Sequence, residues 1–309
     1  MASAMTTTGA RPATPGNAKP GRSASGFGRR GAGPVGRALW NLADSRRLSM
    51  TSRARVRQMA AFLAPGPFDI EAEGIRLRAY PADNHSDRVA MARGRLPDRD
   101  ERDAIAPYLA EGGTFVDVGA NIGLYTLWAA RRVGPTGTVI ALEPHPETAD
   151  RLAFNVAANG LANIQIVRAA AGETTETADL HASAGGNVGQ SSLIRDVAFR
   201  PDESFEVAVR PLLDILAEAG VARIDVLKID VEGYEDRALV PFLENAPETL
   251  LPRAVLVETD VAERWETDCL TALAARGYGL AKKTVANAVL TLTRSPDPRE
   301  CQAERPHRS

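Results

Sequence analysis

Cysteine is almost missing from this chain, with only Cys269 and Cys301 in 309 residues. Their spacing suits neither a metal site nor a disulfide framework, and Cys301 sits in a polar tail, so both read as incidental. Long apolar runs are missing as well. Nothing approaches the roughly 18 to 20 consecutive apolar residues of a membrane helix, and the N-terminus lacks the short apolar segment of a secretory signal. The expectation is a cytoplasmic protein that does not enter a membrane. Acids are scarce at one end: residues 1–60 hold eleven Lys or Arg against the single acid Asp44, a local charge of +10, while the remainder carries −12. A basic arm of this kind can bind nucleic acid. Here residues 1–34 are rich in Gly, Pro, Ser, Ala and Thr, with little to bury and no aromatic besides Phe27 for a base to stack on, so a disordered leader is the expectation. Translation from Met50 or Met59 would also account for it.

What is present is enough for one substantial core, at 44% hydrophobic and 25% charged residues. From Val35 to Leu63 the apolar points recur at helical spacing among arginines, and after Pro65–Pro67 the run FDIEAEGIRLRAY alternates around Gly74 as a hairpin does. Residues 35–99 therefore read as a helix and hairpin cap. From residue 100 to 294 helices alternate with short β-branched strands, the signature of a mostly parallel sheet with helices on both faces. The strands are expected at Thr114–Val118, Thr138–Leu142, Ile164–Arg168, Ile224–Ile229 and Ala254–Glu258, with two more near Tyr278–Lys282 and Ala288–Thr293. Helices are expected at Leu124–Arg132, Pro146–Asn159, Pro211–Ala219, Tyr234–Leu243 and Ala262–Arg276. Residues 295–309 read as a disordered tail.

Three segments carry chemistry. In FVDVGANIGLYT a buried strand runs into a turn and a helix. Gly119 lets the chain turn past a ligand, Gly123 lets the helix pack closely on the sheet, and Asp117 can fix the loop or meet the cationic end of a cofactor. In TVIALEPHP, Glu143 ends the next strand 24 residues after Gly119, close to the offset of about 20 at which an acid meets ribose hydroxyls. In IDVLKIDVEGYE a buried strand breaks into Lys228, Asp230, Glu232, Gly233 and Glu235, where the strands of an open α/β sheet present their ligands. Asp230 is the best placed to take a hydroxyl proton, with Lys228 anchoring the acids.

These blocks, together with NIQIVRAAAGE, the SSL of Ser191–Leu193, and LLDIL, resemble the successive motifs of the FkbM-type methyltransferases over residues 100 to 293. The resemblance implies a Rossmann-like class I methyltransferase fold with a seven-stranded mostly parallel sheet. It further implies S-adenosylmethionine as methyl donor and, most often, O-methylation of a hydroxyl on a secondary metabolite or sugar. Asp117, Gly119, Asn121, Gly123 and Glu143 would then hold the cofactor, and Asp230, Glu232 and Lys228 would form the catalytic end. No acid stands at Ala169–Ala171, so adenine would be held by backbone and apolar contacts. Asp230 and Glu258 end neighbouring strands and suit magnesium, but two ligands make no site, and metal dependence is not expected.

A nicotinamide-dependent oxidoreductase shares the Gly-rich turn and ribose acid, and a Tyr-x-x-x-Lys pair stands at Tyr278 and Lys282, although on a terminal strand rather than a helix. A binding module without catalysis is disfavoured by the acid cluster. Nucleic-acid methylation is disfavoured by the acidic core. The irregular Gly-rich stretch from Glu173 to Glu206, with His181, Gly185, Gly186 and Gly189, is expected to cover the acceptor, a small molecule or glycan.

Overall fold

The computed structural model describes residues 26–45, 47–183, 191–194 and 199–293. Helices α1 (Pro34–Ala43) and α2 (Met50–Leu63) lead into a hairpin of β1 (Phe68–Ala72) and β2 (Ile75–Ala79). Its two turn residues, Glu73 and Gly74, both take positive φ, the backbone that a tight hairpin turn needs. The helical stretch expected over Val35–Leu63 is thus two helices. The break has a local cause: Ser49 adopts an extended backbone and its Oγ accepts from Ser52 N, which starts a new helix.

Next come α3 (His85–Arg93) and α4 (Arg99–Ile105), neither of which the apolar pattern marks. Asn84 caps α3 through its Oδ1, which accepts from Asp87 N at 3.2 Å. The central alternation follows as β3 (Thr114–Val118), α5 (Leu124–Val133), β4 (Thr138–Leu142), α6 (Pro146–Asn159) and β5 (Ile164–Val167). A smaller sheet interrupts it, made of β6 (Ala170–Gly172), β7 (Glu176–Ser183) and β8 (Phe199–Pro211). The chain then continues through α7 (Leu212–Glu218), β9 (Val226–Ile229), α8 (Glu235–Asn245), β10 (Ala254–Glu258), α9 (Cys269–Ala275), β11 (Tyr278–Lys283) and β12 (Asn287–Leu292).

The main sheet has seven strands in the order β5-β4-β3-β9-β10-β12-β11. β3, β4, β5, β9 and β10 are parallel, and β12 runs antiparallel to both β10 and β11. The order in which successive strands are added reverses at the β3–β9 pair, the switch point at whose carboxyl edge open α/β sheets place their ligands. Side chains alternate across the sheet. Val116, Val118, Ile140, Leu227, Ile229 and Val255 face a core completed by α7, α8 and α9, while Phe115, Val139, Val226 and Leu256 face α4 and α5.

Two further expectations are corrected. Residues 262–276 do not form one helix. They make a 3₁₀ turn at Ala262–Arg264, an extended link and then α9, because Trp265 Nε1 donates to Glu235 while the amides of Glu266 and Thr267 donate to Asp236 Oδ2. Among the described residues of the stretch from Glu173 to Glu206, expected to be irregular, 176–183 and 199–206 form an antiparallel strand pair, with Leu180 opposite Phe205. Gly185, Gly186 and Gly189 lie outside the described residues.

Gly26–Gly33, assigned to the leader on composition, lie against the hairpin; residues 1–25 are outside the described region. Asp69 Oδ2 accepts from the amides of Gly28 and Arg30, and its carboxylate takes Arg78 at 2.8 Å. Burial pushes the Asp69 carboxyl up, but Arg78 and the two amides outweigh it and hold it below its ordinary 3.8. A carboxylate depressed in the folded state stabilises the fold above about 3.8 and loses that contribution as pH falls through its folded value. Asp69→Asn is therefore expected to cost about 1–3 kcal/mol at neutral pH. Denaturant melts repeated in acid should show the gap to the parent closing.

Candidate functional site

The carboxyl ends of β3, β4, β9 and β10 open on one cavity of about 240 Å³. Gly119, Asn121, Glu143, Lys228, Asp230, Glu232 and Glu258 line it, joined by Asn84, Asp98 and Tyr125 from the surrounding helices. Ala169–Ala171, Leu180, Ser191 and Leu193 close another side. The structure thus brings most of the residues singled out in the sequence into one place.

Gly119 has φ +78°, and a Cβ on it would sit 1.9 Å from the carbonyl oxygen of Asp230. The immediate reason for glycine is the crossing of the β3 and β9 loops, rather than clearance for a ligand. Gly123 is similar: at φ +93° its Cβ would meet Leu152 Cδ1 of α6 at 2.4 Å, so the close approach is to a helix and not to the sheet. Between them Asn121, at φ 51°, accepts from Ile122 N and from Asn84 Nδ2 through its Oδ1. Its own amide donates to Glu143 Oε2 at 2.8 Å. Glu143 Oε1 accepts from His145 N at 2.9 Å, so each oxygen keeps a lone pair free. Burial is the main influence on Glu143 and raises its carboxyl to about 7 against the pull of these two amides.

Asp117 does not reach the cavity, which corrects one of its two expected roles. Its side chain is fully buried, Oδ2 accepts from Thr126 Oγ1 at 2.6 Å, and Oδ1 lies 3.2 Å from Lys228 Nζ. Asp117 and Lys228 are register partners on β3 and β9 and sit on the same face of the sheet. Lys228 Nζ also donates to Gly119 O at 3.0 Å and lies 3.5 Å from Asp230 Oδ2. Burial alone would lower the Lys228 ammonium, but Asp230 and Asp117 raise it well above its ordinary value. Lys228 is a permanent cation that pins the Gly119 loop to β9.

Beyond it the acids crowd together. Burial, Asp230 and Asp260 push Glu232 up to about 8, and burial with Asp230 and Glu232 pushes Glu258 up to about 12. Asp98, raised to about 6 by burial and by Glu101 and Asp230, faces them from the start of α4. Asp230 is the most open of those on the strand ends, with 38% of its side chain exposed. Glu235 is a positioning group: its Oε1 accepts from Val231 and Gly233 amides and shapes the turn after β9.

Asn84, Asp98 and Tyr125 were missed from the sequence. Only Asn84 leaves a trace there, as an Asn three residues before Asp87 in a helix-cap pattern. Tyr278 and Lys282 bond to Pro252 O and Asp100 O, and neither lines the cavity.

The chain matches the model of the methyltransferase FkbM domain over residues 117–278. The chain belongs to the FkbM methyltransferase family. It is 32% identical over 171 residues to methyltransferase sdnD of Sordaria araneosa, covering 47% of this chain and 65% of that one. It is 33% identical over 156 residues to 31-O-demethyl-FK506 methyltransferase FkbM of Streptomyces tacrolimicus, covering 42% of this chain and 60% of that one. The matches thus span less than two thirds of those relatives. Among solved structures, a SAM-dependent O-methyltransferase from Thermotoga maritima aligns over 75% of this chain and 80% of its own at 16% identity and a TM-score of 0.39. Fibrillarin of Aeropyrum pernix, solved with S-adenosyl-L-methionine bound, aligns over 62% and 74% at 15% identity and a TM-score of 0.39. Counting main-sheet strands in chain order, this FkbM protein has the order 3-2-1-4-5-7-6 with the seventh antiparallel to its neighbours. It is the Rossmann-like class I methyltransferase fold. Among the described residues no helix is long and apolar enough to cross a membrane.

Removing one partner of the buried Asp117–Lys228 pair leaves the other as an uncompensated charge. Lys228→Met is expected to destabilise the fold by about 3–5 kcal/mol, read as a shift of the urea midpoint at unchanged slope.

Proposed function

We propose that this chain is an S-adenosylmethionine-dependent methyltransferase that methylates a hydroxyl on a secondary metabolite or sugar. The observation that carries the reading is the convergence of the Gly119–Gly123 loop, Glu143 and Asp230 on one cavity. Family membership supports methyl transfer, and the relative named for methylating 31-O-demethyl-FK506 supports an oxygen acceptor in a natural product.

In this reading the free lone pairs of Glu143 take the ribose hydroxyls, and the loop from Gly119 to Asn121 cradles the rest of the donor. Ala169–Ala171 and Leu180 give adenine an apolar wall without an acid. Gly123 and Asp117 act from behind the loop, through packing and through Lys228. Methyl transfer is an in-line displacement at a carbon already activated by its sulfonium, so the protein's work is alignment of oxygen, carbon and sulfur and removal of the hydroxyl proton. Asp230, exposed to the cavity and held by Lys228, is the base or orienting group, with Glu232 beside it on the cavity wall.

Two measurements test this. Ribose hydroxyls donate to an ionised Glu143 better than to a protonated one, so binding lowers its pKa and releases a proton. Calorimetric affinity for S-adenosylmethionine should rise as pH climbs through about 7. Glu143→Gln should weaken binding by about 1–3 kcal/mol and flatten that rise; an unchanged affinity removes Glu143 from the site. Asp230→Asn should lower kcat by roughly 10²–10⁴-fold on the acceptor, found by screening tritiated methyl transfer, with donor affinity nearly unchanged. A near-normal kcat would leave alignment alone as the source of rate.

A further inference from the structure

We propose that Asp230, Glu232 and Glu258 together hold one hard divalent cation, magnesium or manganese, at the carboxyl ends of β9 and β10. The inference goes beyond the methyltransferase reading and does not rest on it, because ion binding is measured without any methyl donor.

The geometry comes from the sheet. β9 and β10 are parallel neighbours with Ile229 opposite Val257, so the next residue of each strand, Asp230 and Glu258, emerges at the same level. Glu232 is brought to them by the turn that follows β9, at a positive φ of 57°. Ser192 Oγ donates to its carbonyl at 2.9 Å, and Arg264 donates to the same oxygen. One oxygen from each of the three carboxylates lies within 4.8 Å of the other two. Oxygens bound at about 2.1–2.4 Å to a common ion cannot be farther apart than about 4.2–4.8 Å. The three oxygens are thus close enough for one ion to touch all of them.

A second observation points to a ligand independently of the clustering. Glu258 is only 9% exposed, and its Oε2 is buried with no hydrogen-bond partner among the described residues. A polar oxygen withdrawn from water and given no donor is costly to keep. Lys228 Nζ does not answer for it, being directed to Asp117, Gly119 O and Asp230. A cation among the three carboxylates would satisfy Glu258 and screen the mutual repulsion of the group.

The donors are all carboxylate oxygens, with no sulfur or imidazole, which selects hard ions over zinc or copper. Three protein ligands leave about half of an octahedral shell open, and all three residues line the cavity, so those positions face it.

Manganese titration of the intact chain, followed by the electron paramagnetic signal of the free ion, tests this in the absence of methyl donor. One site is expected, displaced by magnesium. Glu258→Gln, neutral and of the same shape, should weaken it at least about tenfold, since even indirect supports of a metal site are worth 10–100-fold. Asp230→Asn should do the same and serves as the second variant should Glu258→Gln fail to fold. Glu244→Gln, on the exposed face of α8, should leave the affinity unchanged. Absence of bound manganese at millimolar concentration, or equal affinity in the parent and both cluster variants, overturns the site. S-adenosylmethionine binding measured alongside in chelator separates the two ideas: donor binding without ion binding sinks the ion site alone, and ion binding without donor binding sinks the methyltransferase reading alone.

Discussion

One buried charge pair organises the cavity end of this molecule. Asp117 and Lys228 face each other across β3 and β9 with almost no contact with water, an arrangement whose desolvation cost is recovered only when the remaining donors and acceptors are also matched. Thr126 donates to Asp117 Oδ2, the Gly119 carbonyl and Asp230 take Lys228, and Asp117 Oδ1 has the ion pair alone. The loop after β3 and the loop after β9 are therefore registered against each other by the interior of the sheet. Gly119 follows from that constraint, since the backbone of Asp230 occupies the space where its side chain would begin.

With the two loops locked, the electrostatics of the cavity divides in two. On the β4 side a single buried carboxylate, Glu143, is braced by backbone amides and titrates near neutrality. On the β9 and β10 side several acids share a small volume, Asp230 raising Glu232 and Glu258, with Lys228 as counter-charge to Asp230 and Glu258. A cationic ligand lying between these halves would meet negative charge from both, with the Lys228 ammonium, itself part of the lining, drawn towards Asp117, Gly119 O and Asp230.

Much of this was legible in the residues, and what was not has physical reasons. The parallel strands are short apolar runs with both faces buried, so β3, β4 and β10 could be bounded to the residue, and Glu143 and Asp230 could be placed at strand ends. Helix α9 could not, because side chains of α8 that are remote in sequence capture the amides of Glu266 and Thr267 and pull that stretch out of a helical pattern. Asp117 looked like a ligand group because strand-end acids often are. Its side chain is turned inward by pleat parity, which places it on the face of Lys228, and only the pairing of β3 with β9 reveals that partner. The residues contributed by α3 and α4 lie on short helices with weak amphipathic pattern, so their approach to the cavity is a property of tertiary packing.

The hydrogen bond from Asn84 to Asn121 bears on how separable the pieces of this protein are. Asn84 precedes the family-matched span of 117–278, yet it grips the same asparagine whose amide braces Glu143. Asp98, also upstream, supplies part of the cavity wall. The cavity is consequently shared between the family-matched span and the segment that precedes it. Replacing the segment that carries Asn84 and Asp98 would therefore change part of the cavity wall as well as the brace on the Asn121 loop.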